Sequence, residues 1–213
     1  MRASKSLQWL LMLSFIGIAL WSGINPHDRI TWYLEVMPAF IGLVILISTY
    51  SRFRLTDLTY LLVWMHAAVL LIGGHYTYAE VPLFNWLRDT YGLDRNYYDR
   101  LGHVFQGFVP AIVTREILLR LSPLQKGKWL FFIVVCICLA ISAFYELIEW
   151  RVAVASGEAA VAFLATQGDV WDTQWDMFLA LAGATGSLLL LTRWHDRQLD
   201  KLLGGYANQE KSG

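Results

Sequence analysis

The sequence predicts an all-α fold, a polytopic bundle of six transmembrane helices that forms a single integral membrane domain over residues 1–213. Hydrophobic residues make up 56% of the chain and charged residues only 16%, against roughly 25% charged in soluble domains. Apolar windows long enough to cross a bilayer, about twenty residues, recur along the whole chain. They lie near residues 7–24, 31–49, 57–74, 101–120, 129–150 and 173–192.

The first span follows Arg2 and Lys5, as the apolar part of a signal peptide would. No small-residue cleavage site follows it and five further spans do, so we expect an uncleaved first helix. Cys136 and Cys138 lie inside the fifth span. Because residues two apart do not face each other on a helix, we expect no disulfide between them.

The distribution of lysine and arginine orients the bundle, because these residues concentrate on the cytoplasmic side of a membrane. With both termini placed inside, only five of the seventeen basic residues fall outside: Arg29, Arg88, Arg95, Arg100 and Arg151. We therefore predict two cytoplasmic termini. Equal numbers of acidic and basic residues give no net charge, so nothing favours a nucleic-acid partner.

Two outer segments are more than plain loops. Residues 81–92 place Leu83, Phe84, Leu87 and Tyr91 on one helical stripe, which predicts an amphipathic helix lying on the outer leaflet. Residues 152–166 are apolar but interrupted by glycine and glutamate. This second segment is predicted to form another interfacial piece or a re-entrant one.

Unusual polar residues gather at the outer ends of five spans. Ionisable groups inside a membrane helix cost a few kcal/mol each, so they normally face a bundle interior or an aqueous cavity. Several follow the three- and four-residue spacing of one helix face. The residues are Glu35, His75, Tyr78, Asp99, Arg100, His103, Gln106, Glu146, Glu149, Asp169, Asp172 and Asp176.

This arrangement predicts a metal site, a proton-handling catalytic pocket or a tight ion-pair network. Acids outnumber bases, and clustered carboxylates cannot all ionise without a counter-ion, so a divalent metal ion is the candidate cofactor. The catalytic candidates are His103, Asp99, Glu146 and Asp176. The substrate-binding candidates are Arg100, Gln106, His75 and Tyr78. The metal-ligand candidates are His103, Glu146, Glu149, Asp172 and Asp176.

Structural roles remain open for several of these residues. His103 could be bonded to Asp99 or Glu146 only to hold two helices together, and the aspartates could favour the start of a helix. His195 is interpreted as an ordinary residue near a membrane boundary. Arg115 is expected far from the site and able to extend toward the inner headgroups. The small residues of GATGS (183–187) predict close helix packing.

The segments GGHYTYAEVPL, NYYDRLGHVFQGFVPA, YELIEW and TQGDVWDTQWDMFLALAGA resemble the YjdF family of bacterial inner-membrane proteins. The resemblance covers essentially the whole chain. It implies a multi-pass protein of the bacterial inner membrane in a family without an established activity. The outer face is then the periplasmic one.

A distant similarity to VanZ-like membrane proteins rests on three elements in the same order. They are DRLGH (99–103), the Glu146 and Glu149 pair, and DTQWD (172–176) before a small-residue helix. Arg100 stands where those proteins have lysine, and residues 179–182 lack their asparagine. The similarity implies that these residues form one functional constellation.

Two classes of function follow. The first is a membrane enzyme that acts on, or binds, a lipid or polyprenyl headgroup with the help of a divalent metal. The second is a non-enzymatic protein that binds or transports a small ligand or ion, or serves an envelope complex, with the acids forming a structural network. Membrane lipids are the expected partners in either case.

Overall fold

The computed structural model describes residues 5–156 and 165–210, and every regular element within them is an α-helix. The helices are α1 (Lys5–Gly23), α2 (Arg29–Thr49), α3 (Asp57–Tyr76), α4 (Pro82–Tyr91), α5 (Tyr98–Leu121), α6 (Lys128–Ser156) and α7 (Asp172–Glu210). The prediction of an all-α membrane bundle is confirmed.

Five of these helices, α1, α2, α3, α6 and α7, are long and apolar enough to cross a membrane. Helix α5 has 24 residues, about 36 Å at 1.5 Å per residue, but is not among these five. Four of its five charged residues, Asp99, Arg100, Arg115 and Glu116, are buried. The sixth span therefore remains a prediction.

Helix starts follow the local sequence. The Asp28 carboxylate accepts a hydrogen bond from the Thr31 amide at 2.7 Å and caps α2. This bond lowers the pKa of Asp28 below its usual value. The Thr56 hydroxyl caps α3 in the same way by accepting from the Thr59 amide. Both caps satisfy amide groups that have no partner within the helix.

Helix α5 is the centre of the bundle. It packs most extensively against α7 and also against α3 and α6. A methyl group at Gly107 would overlap the Ala180 carbonyl oxygen, and one at Gly183 would overlap the Val104 carbonyl oxygen. The backbones of α5 and α7 are therefore in direct contact, and the close packing predicted for residues 183–187 is confirmed.

Helices α1 and α2 both pack against α3. The Ser22 hydroxyl donates to the Leu71 carbonyl at 2.6 Å and accepts from the Trp32 indole at 2.9 Å, so one side chain joins all three helices. Phe15, Val36 and Leu71 belong to the apolar core of this part.

Helices α6 and α7 extend beyond the predicted spans, and the stripe predicted for residues 81–92 is only partly packed against the bundle. Helix α6 continues to Ser156, so the start of the predicted second interfacial segment belongs to α6, and residues 157–164 lie outside the described part of the chain. Helix α7 continues to Glu210 instead of ending near 192. Helix α4 confirms the predicted helix within residues 81–92. Its predicted apolar stripe does not pack as one surface: Phe84 packs on Tyr98, with ring centroids 5.2 Å apart, whereas Leu83 and Tyr91 are exposed.

A second polar network lies toward the other end of α5, and it corrects two interpretations. Arg115 is buried, donates to His195 Nδ1 at 2.7 Å and pairs with Asp196 at 2.8 Å. His195 is fully buried and donates from Nε2 to Glu116 at 3.1 Å. Arg115 thus does not extend toward headgroups and His195 is a buried residue rather than an ordinary interfacial one, because each completes the hydrogen bonding of a buried neighbour.

Candidate functional site

The candidate site lies at the end of the bundle that the sequence predicts to face outward. The first turns of α5 supply Asp99, His103 and Gln106, and α6 and α7 supply Glu146 and Asp176. We call these five residues the His103 cluster. Asp99, His103 and Gln106 share one face of α5 because they are spaced by four and three residues.

His103 is buried between two carboxylates. Its Nε2 lies 3.6 Å from Asp99 Oδ1 and 3.6 Å from Asp176 Oδ1, which is longer than an ordinary hydrogen bond. Its other nitrogen, Nδ1, lies 3.1 Å from Gln106 Oε1, within hydrogen-bonding distance. One ligand atom each from Asp99, His103 and Asp176 all lie within 4.8 Å of one another, the spacing of a possible metal-binding group.

Glu146 approaches from α6. Its Oε1 lies 3.9 Å from His103 Nδ1 and is buried without a hydrogen-bond partner. Asp99 Oδ2 is likewise buried and unpartnered, although Arg95 lies 3.7 Å away. Buried carboxylate oxygens normally have a donor or a cation beside them. These two oxygens therefore mark a place where a positively charged or proton-donating ligand would be stabilised.

A second set of contacts, the arginine–aspartate network, adjoins the His103 cluster. Arg100 pairs with Asp169 at 2.9 Å, with Asp172 at 2.8 Å and with Asp176 at a shorter distance. The three aspartates at and just before the start of α7 therefore face one guanidinium group. Both terminal nitrogens of Arg100 are engaged by these acids, and its predicted role in binding a substrate stays a prediction.

Arg95 belongs to the same network and was not singled out from the sequence. It is buried, contacts Asp172 at 2.7 Å and donates to the Ala165 carbonyl at 3.0 Å. The one available signal was its position four residues before Asp99, but it precedes α5 in a loop. Nothing local in the sequence indicates which way a loop side chain points.

Glu35 and Tyr78 extend the polar region toward α2 and α3. Glu35 is buried on α2, and Asp99, His103 and the Tyr78 side chain are close enough to interact with it electrostatically. The Tyr78 ring packs closely against two glycines. A methyl group added at Gly73 would lie 2.6 Å from the ring, and one added at Gly102 would lie 3.1 Å from it. These glycines provide the room for the ring at the end of α3.

Two other candidates predicted from the sequence, His75 and Glu149, lie outside the His103 cluster or at its edge. His75 stacks on Trp21, with ring centroids 4.4 Å apart, and its Nδ1 lies 3.0 Å from the Ser22 carbonyl oxygen. It therefore contacts α1 and not the His103 cluster. Glu149 is half-buried one turn after Glu146 and interacts with it electrostatically, without an ion pair among the described residues.

Negative charge exceeds positive charge here. The acids near the site are Glu35, Asp99, Glu146, Glu149, Asp169, Asp172 and Asp176, whereas the facing bases are Arg95, Arg100 and His103. Removing so many carboxylates from water is unfavourable unless protons or a cation offset the charge. The arrangement can thus hold a cation, bind and release protons, or do both.

Comparison with known proteins places the chain in a family. A family model described as "Predicted membrane protein (DUF2238)" matches residues 7–197. The chain belongs to this family. It is 51% identical over 187 residues to the inner membrane protein YjdF of Escherichia coli (strain K12), covering 88% of this chain and 90% of that relative. No solved structure matches the chain.

The match confirms the resemblance to the YjdF family and shows a multi-pass membrane protein. Residues 7–197 include α5, α6 and the entry to α7, so both the His103 cluster and the arginine–aspartate network lie inside the family region. The similarity to VanZ-like proteins stays a prediction from the sequence.

Proposed function

We propose that this member of the family binds a divalent cation through Asp99, His103 and Asp176 and uses it to act on the headgroup of a lipid or polyprenyl-type molecule. The observation that carries the proposal is the orientation of His103. Its Nε2 lies between two buried carboxylate oxygens, 3.6 Å from each, while Nδ1 contacts Gln106.

The spacing is close to what coordination requires. Ligand atoms held at about 2.1 Å from one ion lie roughly 3 to 3.5 Å apart. The two His103 Nε2 distances of 3.6 Å are close to this range, and the three ligand atoms, which all lie within 4.8 Å of one another, would draw closer around a bound ion. In the neutral tautomer that a metal ligand requires, Nδ1–H donates to Gln106 Oε1 and leaves the Nε2 lone pair free. Such outer partners orient metal-binding histidines in many proteins.

Electrostatics support the same assignment. A cation on Nε2 would lie beside Asp99, whose Oδ2 is buried and unpartnered, whereas the unpartnered Oε1 of Glu146 approaches the other ring nitrogen, Nδ1. One imidazole with two carboxylates suits Mn²⁺ or Zn²⁺ better than Mg²⁺ or Ca²⁺, which prefer oxygen ligands alone. The proposed ligand set differs from the one predicted from the sequence. Asp99 joins it, and Asp172 leaves it because both Arg95 and Arg100 engage its Oδ1, whereas of these two arginines only Arg100 pairs with Asp176.

The surroundings suit a headgroup substrate. A bound cation would polarise a phosphoryl or carbonyl oxygen, and the free oxygen of Glu146 could accept a proton nearby. Helix α4 lies beside the site through the contact of Phe84 with Tyr98, and it exposes Leu83, Trp86 and Tyr91. Such side chains favour the boundary between lipid and water, where a headgroup would approach.

A second candidate function is non-enzymatic. Arg95 and Arg100 already pair with Asp169, Asp172 and Asp176. This observation favours an ion-pair network that fastens α5 to α7 in a protein that binds or transports a small ligand, or serves an envelope complex. Metal content separates the two candidates, because the ion-pair network alone needs no metal.

Elemental analysis of detergent-purified protein tests the proposal. We expect about one Mn²⁺ or Zn²⁺ per wild-type chain, and loss of that metal in His103→Ala and Asp99→Asn. His75→Ala is the matched control, since His75 contacts α1 rather than the cluster, and it should retain the metal. Equal metal content in the wild type and His103→Ala, or none in either, would favour the ion-pair network.

We also propose that the protein resides in the bacterial inner membrane with both termini in the cytoplasm and the His103 cluster near the periplasmic face. The location is supported by the inner-membrane relative. The orientation is supported by the distribution of basic residues along the sequence.

A further inference from the structure

A groove of about 510 Å³ lies between α1, α2 and α3, on the side of the bundle away from α5, α6 and α7. It lies where α1 and α2 both pack on α3. Phe15, Ala39, Leu43, Leu46, Trp64 and Ala67 line its apolar length. We call it the α1–α3 groove.

One end of the groove is basic and polar. Lys5 and Arg54 line it, as do Tyr50 and Gln8, and the Tyr50 hydroxyl donates to Gln8 Oε1 at 2.5 Å. The Arg54 guanidinium lies 4.7 Å from the centre of the Tyr50 ring. No acidic side chain is among the described residues that line the groove, so its mouth carries two positive charges over an apolar channel.

Two hydrogen-bond donors in the lining have no acceptor. Gln8 Nε2 and Trp64 Nε1 are both buried from solvent and unpaired. A buried donor without an acceptor is destabilising, and an apolar chain alone could not relieve that destabilisation. The groove therefore fits a ligand that combines a negative charge, acceptor oxygens and an apolar chain.

We infer that the α1–α3 groove binds one anionic phospholipid from the surrounding bilayer. The phosphate lies beside Lys5 and Arg54, and an acyl chain runs along Leu43 and Phe15. The Gln8 and Trp64 side chains turn toward the lipid, so that its ester oxygens accept from the two unpaired donors. Basic residues at a membrane surface attract anionic lipids. The volume is in the range of ordinary ligand pockets.

This site is separate from the His103 cluster. Lys5 and Arg54 lie at the ends of α1 and α3 remote from Ser22 and His75, and the groove shares no lining residue with the cluster. Binding of phospholipid at the groove therefore does not depend on the metal proposal, and either can fail without the other.

Native mass spectrometry in detergent, with added phosphatidylglycerol or phosphatidylethanolamine, tests the inference. We expect wild-type protein to retain one phosphatidylglycerol in preference to phosphatidylethanolamine. The double variant K5Q/R54Q should bind phosphatidylglycerol about 30-fold more weakly, since each basic contact contributes about a fivefold gain. The matched control K201Q, an exposed lysine of α7, should behave as the wild type.

A second variant tests the apolar part of the groove separately from its basic end. Leu43→Trp narrows the apolar part of the groove and leaves the basic end intact, so it should reduce retention of both lipids while the thermal unfolding temperature stays near that of the wild type. Equal retention of the two lipids by the wild type would overturn the inference, as would unchanged retention in K5Q/R54Q. So would retention of a fatty acid in place of phospholipid.

Discussion

The two nitrogens of His103 have different surroundings, and this difference underlies the proposed metal site. Nδ1 contacts the Gln106 amide oxygen, whereas Nε2 faces the Asp99 and Asp176 carboxylates beyond hydrogen-bonding distance. In the proposed metal site Gln106 is a positioning residue, which would act on a bound cation only through the ring that it orients.

Replacing Gln106 with leucine should weaken Mn²⁺ binding by about 10- to 100-fold, the usual effect of removing an outer partner of a metal-binding histidine. A competition titration with a metal indicator measures the affinity. Gln174→Leu serves as the control, because Gln174 is exposed on α7. Equal Mn²⁺ affinity in the wild type and Gln106→Leu would show that Gln106 does not orient His103 for metal binding.

Arg95→Met should lower stability by about 3–5 kcal/mol, because it leaves buried carboxylates without their partner. The Arg95 and Asp172 side chains are only 4% and 8% exposed. The control Arg88→Met should cost under about 1 kcal/mol, since its partner Asp89 is 68% exposed. Unfolding in detergent measures both, and adding Asp172→Asn should recover part of the loss. Similar losses in the two single variants would show that Arg95 is not the key partner of these acids.

Sequence reasoning succeeded for residues whose partners lie on the same helix and failed for those that depend on the tertiary fold. The spacing of Asp99, His103 and Gln106 places them together on any regular helix. Arg95 lies in a loop and His195 beyond the expected end of the last span, so their burial depends on how α5 meets α7.

At the level of elements, the contact between α5 and α7 positions the site. Asp176 reaches His103 because the two helix backbones touch at Gly107 and Gly183. Small residues at such crossings are typical of membrane bundles, and the GATGS stretch was sufficient to predict the contact surface. It did not specify the partner helix, since small residues occur in several spans.

Gly107→Val should separate α5 from α7 because its side chain would overlap the Ala180 carbonyl group. We expect a lower unfolding temperature and weaker Mn²⁺ binding together. Gly17→Val is the matched control in another membrane helix, where no atom lies within 4 Å of the added carbon. A stable Gly107→Val protein with unchanged metal affinity would contradict the view that this contact positions the site.

Helix ends were predicted less well than helix positions. Helix α7 continues past residue 192 because Asp196 pairs with Arg115 and Gln198 accepts from the Leu58 amide, so its polar last turns have partners in the bundle. A hydropathy window cannot detect such contacts. The start of α2, predicted near residue 31 and observed at Arg29, is set locally by the Asp28 cap.

At the scale of the whole molecule, orientation is the main prediction. Because most basic residues precede the first span or lie in alternate connections, a green fluorescent protein fused to the C-terminus should fluoresce in the cytoplasm. Alkaline phosphatase fused after Gly92 should be active in the periplasm. The reverse pattern of activities would invert the membrane topology and place the His103 cluster at the cytoplasmic face.

The central claim is that a single cation joins α5 to α7 through Asp99, His103 and Asp176. Pulsed electron paramagnetic resonance of Mn²⁺-loaded protein tests it most directly, because coupling to a coordinated nitrogen reports a histidine ligand. We predict one bound Mn²⁺ per chain with coupling to one imidazole, lost in His103→Ala and retained in His75→Ala. A spectrum of bound Mn²⁺ without nitrogen coupling, or the same coupling in His103→Ala, would contradict the account.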